Sequence, residues 1–354
     1  MGWVVLHIPT VSSRMAVTSP AAEGRRILSL QVLRGIAASM VVILHVSHLA
    51  QSARVSDWRF HLGAAGVDLF FALSGVIITI IPKRSPGDFL RRRLIRVVPL
   101  YFLMTMLAWP FAKGVTAANA FTSLTLWPAW GAMTQPILGV GWTLSFELLF
   151  YVAACASIAS RRNALVLAGT YLSAMALIPS GLVAAQFLGN PIILEFLAGV
   201  AIGALWKRGH RVSPPIAAIV VVAALALWLL NPAVETLTSV VGTMNAQNSL
   251  WRAVEIGVPA AMLVFGFLHL DFAWPSSAIA VGDASYSIYL AHAAILTPLS
   301  SLVLPPILQP FSLAIYLLLS AIASFAVYNL FEKPILALLR QRGKAGTGIA
   351  LAPA

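Results

Sequence analysis

The stretch LQVLRGIAASMVVILHVSHLA, Leu30 to Ala50, decides the fold. Arg34 is its one residue with a fixed charge, and the rest is dominated by Leu, Val, Ile and Ala. At about 1.5 Å per residue a helix of this length covers roughly 31 Å. That is about the hydrocarbon thickness of a bilayer, so the stretch reads as a transmembrane helix.

The remaining chain repeats the pattern. Of 354 residues, 60% are hydrophobic and only 10% are charged. Mean hydropathy is +0.89, whereas a soluble domain is roughly 45–50% apolar and about 25% charged. About 212 apolar residues, at about 20 per span, supply about ten crossings. This composition excludes a secreted, nucleic-acid-binding or cytosolic enzyme as the first reading. The expected fold class is therefore all-α, a polytopic integral membrane protein. The lone Cys155 excludes a disulfide framework or a cysteine metal cluster. Residues 1–28 lack the plan of a secretory signal, being broken by His7 and Pro9, and Met15 is an alternative start.

Apolar runs fall at about 30–50, 62–82, 97–113, 137–159, 164–179, 188–206, 215–231, 251–270, 286–304 and 311–332. With alternating connections and a cytoplasmic N-terminus, one side collects 18 of the 23 basic residues, from Arg14, Arg25 and Arg26 to Lys333, Arg340, Arg342 and Lys344. Between them come Lys83 and Arg84 with Arg91, Arg92, Arg93 and Arg96, then Arg161 and Arg162, then Lys207, Arg208 and Arg211. The other side keeps Arg54, Arg59, Lys113 and Arg252. This is the positive-inside pattern of ten helices with both termini cytoplasmic. The net charge of +12 is mostly topology. The expected organisation is a cytoplasmic leader at 1–28, a membrane domain at 29–334 and a cytoplasmic tail at 335–354, with no soluble catalytic domain attached. The uncharged loop at about 114–136, with Trp127, Trp130 and two prolines, is expected to lie in the outer interface or dip back into the protein.

Ionisable groups at membrane depth mark function by default. Arg34 and His45 lie eleven apart in the first span. That is about 1100° of rotation, so they share a face, about 16.5 Å apart along the axis. The structural reading is a snorkelling arginine and a hydrogen-bonded core histidine. Asp68, in the second span, matches His45 in depth from the outer side, and adjacent helices are the default neighbours. A carboxylate beside an imidazole orients a general base, while pairing of Asp68 with Arg54 or Arg59 is the structural alternative. Glu147 lies near the midplane of the fourth span, and Glu195 and Glu255 are less central. Arg252 and Glu255, three apart, read as a structural pair. His292 sits one or two turns from the cytoplasmic end of the ninth span. The basic run ending in Arg93 and Arg96 serves as a stop-transfer anchor or, at a helix start, as an anion site.

These residues together resemble the acyltransferase-3 family of membrane acyltransferases, and most closely its bacterial exopolysaccharide-production branch. Arg34-Gly35-Ile36-Ala37-Ala38 with His45 is similar to the family's first motif, and Gly66 to Gly75 to its second. Arg93-Leu94-Ile95-Arg96 with Pro99 and Tyr101 follows, then Trp142 to Glu147 with Phe150-Tyr151, Ser285 to His292, and Glu332-Lys333-Pro334. The order is kept over about residues 30–334. Ile77, after Gly75-Val76, departs from a more usual Gly-Phe and touches only packing.

The resemblance implies an enzyme of the bacterial inner membrane that moves an acyl group, usually acetyl from acetyl-CoA, onto a sugar hydroxyl. The acceptor would be an exported glycan, such as exopolysaccharide or lipopolysaccharide. It implies His45 as catalytic histidine with Arg34 as its partner on the acyl-donor path. The placement of the residues adds Asp68, to orient His45, and Glu147, to position His45 or the acceptor, in support. Arg34, Arg93, Arg96 and His292 would serve acyl-CoA, and Trp142, Ser145 and Ser74 the substrate. The expected partners are lipid, acyl-CoA and glycan, with acyl-CoA as co-substrate, no resident cofactor and no metal. The competing function is a transporter or flippase of glycans or small anions, for which midplane charges are equally apt. A non-catalytic scaffold would leave the aligned Arg34, His45, Asp68 and Glu147 without a role.

Overall fold

The computed structural model describes residues 20–81, 85–159, 164–302 and 304–338. Arg14, Lys83, Arg84, Arg161, Arg162, Arg340, Arg342 and Lys344 lie outside the described residues, as do most of the expected leader and tail. The described residues are 79% helical, and the one β-type pairing among them is an isolated bridge between Ala129 and Met133. Among the described residues, seven helical stretches are long and apolar enough to cross a bilayer. An eighth arises if Ser276–Asp283 and Ser285–Leu299, bent by 62°, form one broken span.

Helix α1 (Pro20–Ser52) leads by a short loop to α2 (Ala65–Ile80). Helix α3 (Pro86–Ala108) begins eleven residues earlier than apolarity alone places it, so Arg91 to Arg96 are helical. The cause is local: Ser85 caps the helix by accepting from the Asp88 N–H at 3.3 Å, and Pro86 opens the first turn. The uncharged loop folds back on the protein. It contains α4 (Ala117–Thr125), whose start is closed by a capping box of Thr116 and Asn119. Helix α5 (Trp142–Ala159) follows, then α6 (Ala164–Met175), α7 (Val183–Leu188) and α8 (Ile193–Lys207). The expected fifth span is thus a 12-residue helix in the described part. The seventh, α9 (Pro214–Leu229), is a 16-residue apolar helix.

Three short helices, α10 (Val234–Leu237), α11 (Val240–Met244) and α12 (Ser249–Arg252), precede α13 (Val258–His269). A π-helical turn, Ala253–Gly257, joins the last two and directly follows Arg252. Helices α14 (Ser276–Asp283) and α15 (Ser285–Leu299) form the bent pair. Helix α16 (Ser312–Val327) closes the described fold and runs into a second π turn at Tyr328–Glu332.

Helix α2 is the hub. Its Ala72 and Gly75 meet Gly199 of α8 backbone to backbone, so a Cβ on either glycine would run into a carbonyl of the other helix. In lipid, where no hydrophobic force joins helices, such small-residue contacts supply the packing. Helices α1 and α13 pack on other faces of α2, and α15 lies between α1, α3 and α16. Charged side chains are buried within an apolar core while large apolar ones face outward: Asp68, Arg252 and His292 are at most 1% exposed, and Leu229 and Leu230 are at least 73% exposed. That distribution suits a lipid surround and would be unfavourable in water.

Candidate active site: two cavities and a histidine pair

Helices α1, α2, α3, α5 and α15 line one cavity, and α1, α2, α5 and α15 together with α10, α11 and α12 line a second that shares a wall with it. The first is lined by Arg34, Arg93, Arg96, Ser74 and Glu147 and holds about 80 Å³ of open space. The second holds about 630 Å³ and is lined by His45, His48, His61, Trp142 and Arg252 among others. Val67 and Tyr289 line both, so the partition is about one side chain thick. The Tyr289 hydroxyl is fixed by Thr143 Oγ1 at 2.9 Å and donates to the Val140 carbonyl at 3.2 Å. Phe70 meets its ring edge-on with centroids 5.5 Å apart.

The arginine cavity assembles groups far apart in the chain. Glu147 accepts from the Ser74 hydroxyl at 3.4 Å and from the Tyr151 hydroxyl. Arg93 lies over the rings of Phe89 and Tyr151, at 5.8 and 5.7 Å from their centroids. The arginines outnumber the single carboxylate, so the cavity favours an anion, and guanidinium forks suit phosphate oxygens. Arg34, Arg93 and Arg96 are therefore brought together as expected. Glu147 belongs with them, and it is Ser74 and Tyr151 that it holds rather than His45.

The histidine cavity corrects three expectations. Asp68 does not orient His45. Both its oxygens are taken by Arg252, from Nε to Oδ1 and from Nη2 to Oδ2, each at 2.9 Å. This forked ion pair is buried, with side chains 1% and 0% exposed. Nor does Asp68 pair with the outer loop, where Arg59 reaches Gln51 and, at 3.5 Å, Glu235. Arg252 in turn does not pair with Glu255, whose carboxylate takes a hydrogen bond from Asn231 at 3.2 Å. Arg252 also donates to Thr243 at 3.2 Å and lies 5.7 Å from the Trp142 ring centroid.

His292 is the third correction. It lines neither cavity, is 0% exposed, and stands behind His45 with Nε2 3.1 Å from His45 Nδ1. The ring centroids are 5.1 Å apart. Of the expected substrate residues, Trp142 lines the histidine cavity and Ser74 the arginine cavity. Ser145 lines neither, and its buried hydroxyl has no hydrogen-bond partner among the described residues.

Sequence reasoning missed Tyr289 and the true partners of Arg252 and His292. Tyr289 had a signal, since it precedes His292 by one helical turn in the same motif. Arg252 had a weaker one: it and Asp68 sit 3 and 7 residues into spans that begin at Ser249 and His61. If both spans enter from one side, their depths differ by about 6 Å.

The profile of the acyltransferase-3 family, described as an acyltransferase domain, matches residues 27–329. The exopolysaccharide production protein ExoZ of Rhizobium meliloti (strain 1021) is 33% identical over 323 residues, covering 84% of this chain and 96% of the relative. No solved structure matches the chain. With helices that fit a bilayer, buried charge and a family match across its whole helical core, the chain belongs to the acyltransferase-3 family and is a membrane acyltransferase.

Proposed function

We propose that this protein moves an acetyl group from acetyl-CoA to a hydroxyl of an exported glycan of the exopolysaccharide type. One observation carries the reading: a cavity built for an anion and a cavity holding a histidine base meet across a wall of Val67 and Tyr289. The arginine cavity faces the cytoplasm, where acyl-CoA is made, and receives its phosphate-bearing end at Arg34, Arg93 and Arg96. The histidine cavity faces outward and receives the sugar. Ten spans with both termini cytoplasmic, in the bacterial inner membrane, complete this arrangement. The distribution of basic residues supports that orientation, and the relative's role in exopolysaccharide production supports the acceptor class.

The chemistry follows from the residues. His45 removes the proton of the sugar hydroxyl, the hydroxyl oxygen bonds to the acyl carbon, and the carbon–sulfur bond breaks. The proton passes from His45 to the departing thiolate. A relay in which His45 first carries the acyl group is the covalent variant. A transporter without transferase activity is set aside by family membership. The test is acetyl-CoA turnover by purified protein, with mass spectrometry of the surface polysaccharide. A His45→Ala variant should insert normally and lose transfer. Transfer at the normal rate without His45 would refute this assignment.

A further inference from the structure

His45 and His292 can be assigned tautomers from their surroundings. His45 Nδ1 lies 2.9 Å from the Val41 carbonyl oxygen, and His292 Nδ1 lies 2.8 Å from that of Ile288. Both are the carbonyls one helical turn back, and a carbonyl only accepts. Each Nδ1 must therefore carry a hydrogen, or lone pairs would face each other at those distances. His292 Nε2 then has a lone pair, and it stands 3.1 Å from His45 Nδ1. The His45 Nδ1–H is thus shared between the Val41 oxygen and His292 Nε2. The reverse arrangement, with His292 Nε2–H donating to a bare His45 Nδ1, leaves a repulsive contact at Val41 and, for a neutral ring, another at Ile288. One assignment satisfies every contact.

The remaining atom is His45 Nε2. It makes no hydrogen bond to any of the described residues, and it is not fully buried. Its ring lines the larger cavity. In the Nδ1–H tautomer this nitrogen holds the lone pair, as a base must.

We propose that His292 is the positioning residue of His45, holding it as the Nδ1–H tautomer so that Nε2 is the nitrogen that reacts. This rests on the acyl-transfer reading above. When Nε2 takes the acceptor's proton, the O–H bond breaks, the Nε2–H bond forms, and His45 becomes an imidazolium. Its Nδ1–H bond to the His292 lone pair then becomes charge-assisted and stronger. His292 thereby does at this site what the carboxylate does in a base–carboxylate pair, with no net charge of its own to bury.

Two measurements test this on the full-length protein in detergent. The first is ¹⁵N NMR of histidine-labelled protein, with the His45 signals identified by their loss in His45→Gln. Protonated Nδ1 with bare Nε2 is expected, and a proton on Nε2 would overturn the proposal. The second is steady-state transfer from acetyl-CoA by His292→Gln and His292→Met. Gln can offer an amide oxygen near the site of Nε2, whereas Met fills the space without an acceptor. The expected result is a kcat within about fivefold of wild type for Gln and about 100-fold lower for Met. KM values should stay within about twofold. Equal loss in both variants, or a loss confined to KM, would overturn the role of His292. A wild-type protein inactive with acetyl-CoA would refute the functional reading instead, and the nitrogen spectrum would then decide the tautomer.

Discussion

Replacing Asp68 with asparagine should destabilise the protein severely, and replacing Arg252 as well should restore much of the loss. The pair is joined by two charge-assisted hydrogen bonds of 2.9 Å, with side chains 1% and 0% exposed. Asp68→Asn removes the negative charge and leaves the guanidinium with Thr243 at 3.2 Å, the Ala64 carbonyl at 3.5 Å and the nearby buried carboxyl of Glu195. Breaking one side of a buried pair costs about 3–5 kcal/mol, because the other charge stays buried. Removing both charges with Asp68→Asn/Arg252→Met eliminates that penalty, and uncharged replacements are often neutral or better. A coupling free energy of about 2–3 kcal/mol between the two positions is therefore expected. The assay is a double-mutant cycle read by denaturation in detergent, using the fluorescence of the 10 tryptophans, with turnover normalised to folded protein. Strict additivity of the two substitutions would refute the argument. So would an Asp68→Asn variant of normal stability that has lost turnover, since Asp68 would then be acting on His45.

Two further predictions follow from the same geometry. Arg96→Lys keeps the charge in the arginine cavity but loses the forked donor geometry. It should raise the KM for acetyl-CoA about tenfold, equivalent to about 1.4 kcal/mol, while the KM for acceptor is unchanged in initial-rate measurements. Gly199→Ala drives a methyl group into the Ala72 carbonyl at the α2–α8 crossing. Its thermal midpoint should drop, with a loss of about 1–3 kcal/mol, whereas Gly87→Ala, with open space around the new Cβ, should leave it unchanged.

Much of the arrangement was legible before any coordinates. The apolar runs located the long helices, because a bilayer crossing needs a continuous apolar length whatever its neighbours. The third helix began early because capping by Ser85 and Pro86 is a local signal that hydropathy ignores. Arg34 and Glu147 were visible as charges at membrane depth, and Arg93 and Arg96 as the end of a cytoplasmic basic run; the structure gathers all four in one cavity. His45 was legible for the same reason. Its neighbour was not: Asp68 matches it in depth by sequence, whereas His292 reads toward the opposite end of its span, and only the packing of α15 brings His292 beside it.

By itself the sequence determined that the chain is a helical membrane protein and how far along its own apolar run each ionisable side chain lies. That position is a local quantity, one helical rise per residue, and needs no partner to define it. The tertiary structure alone decided the pairings: Asp68 with Arg252, His45 with His292, and Glu147 with Ser74 and Tyr151. A pairing depends on which helix lies beside which and at what rotation. Close small-residue crossings such as Gly75 against Gly199 set both, through contacts between residues more than a hundred positions apart in the chain.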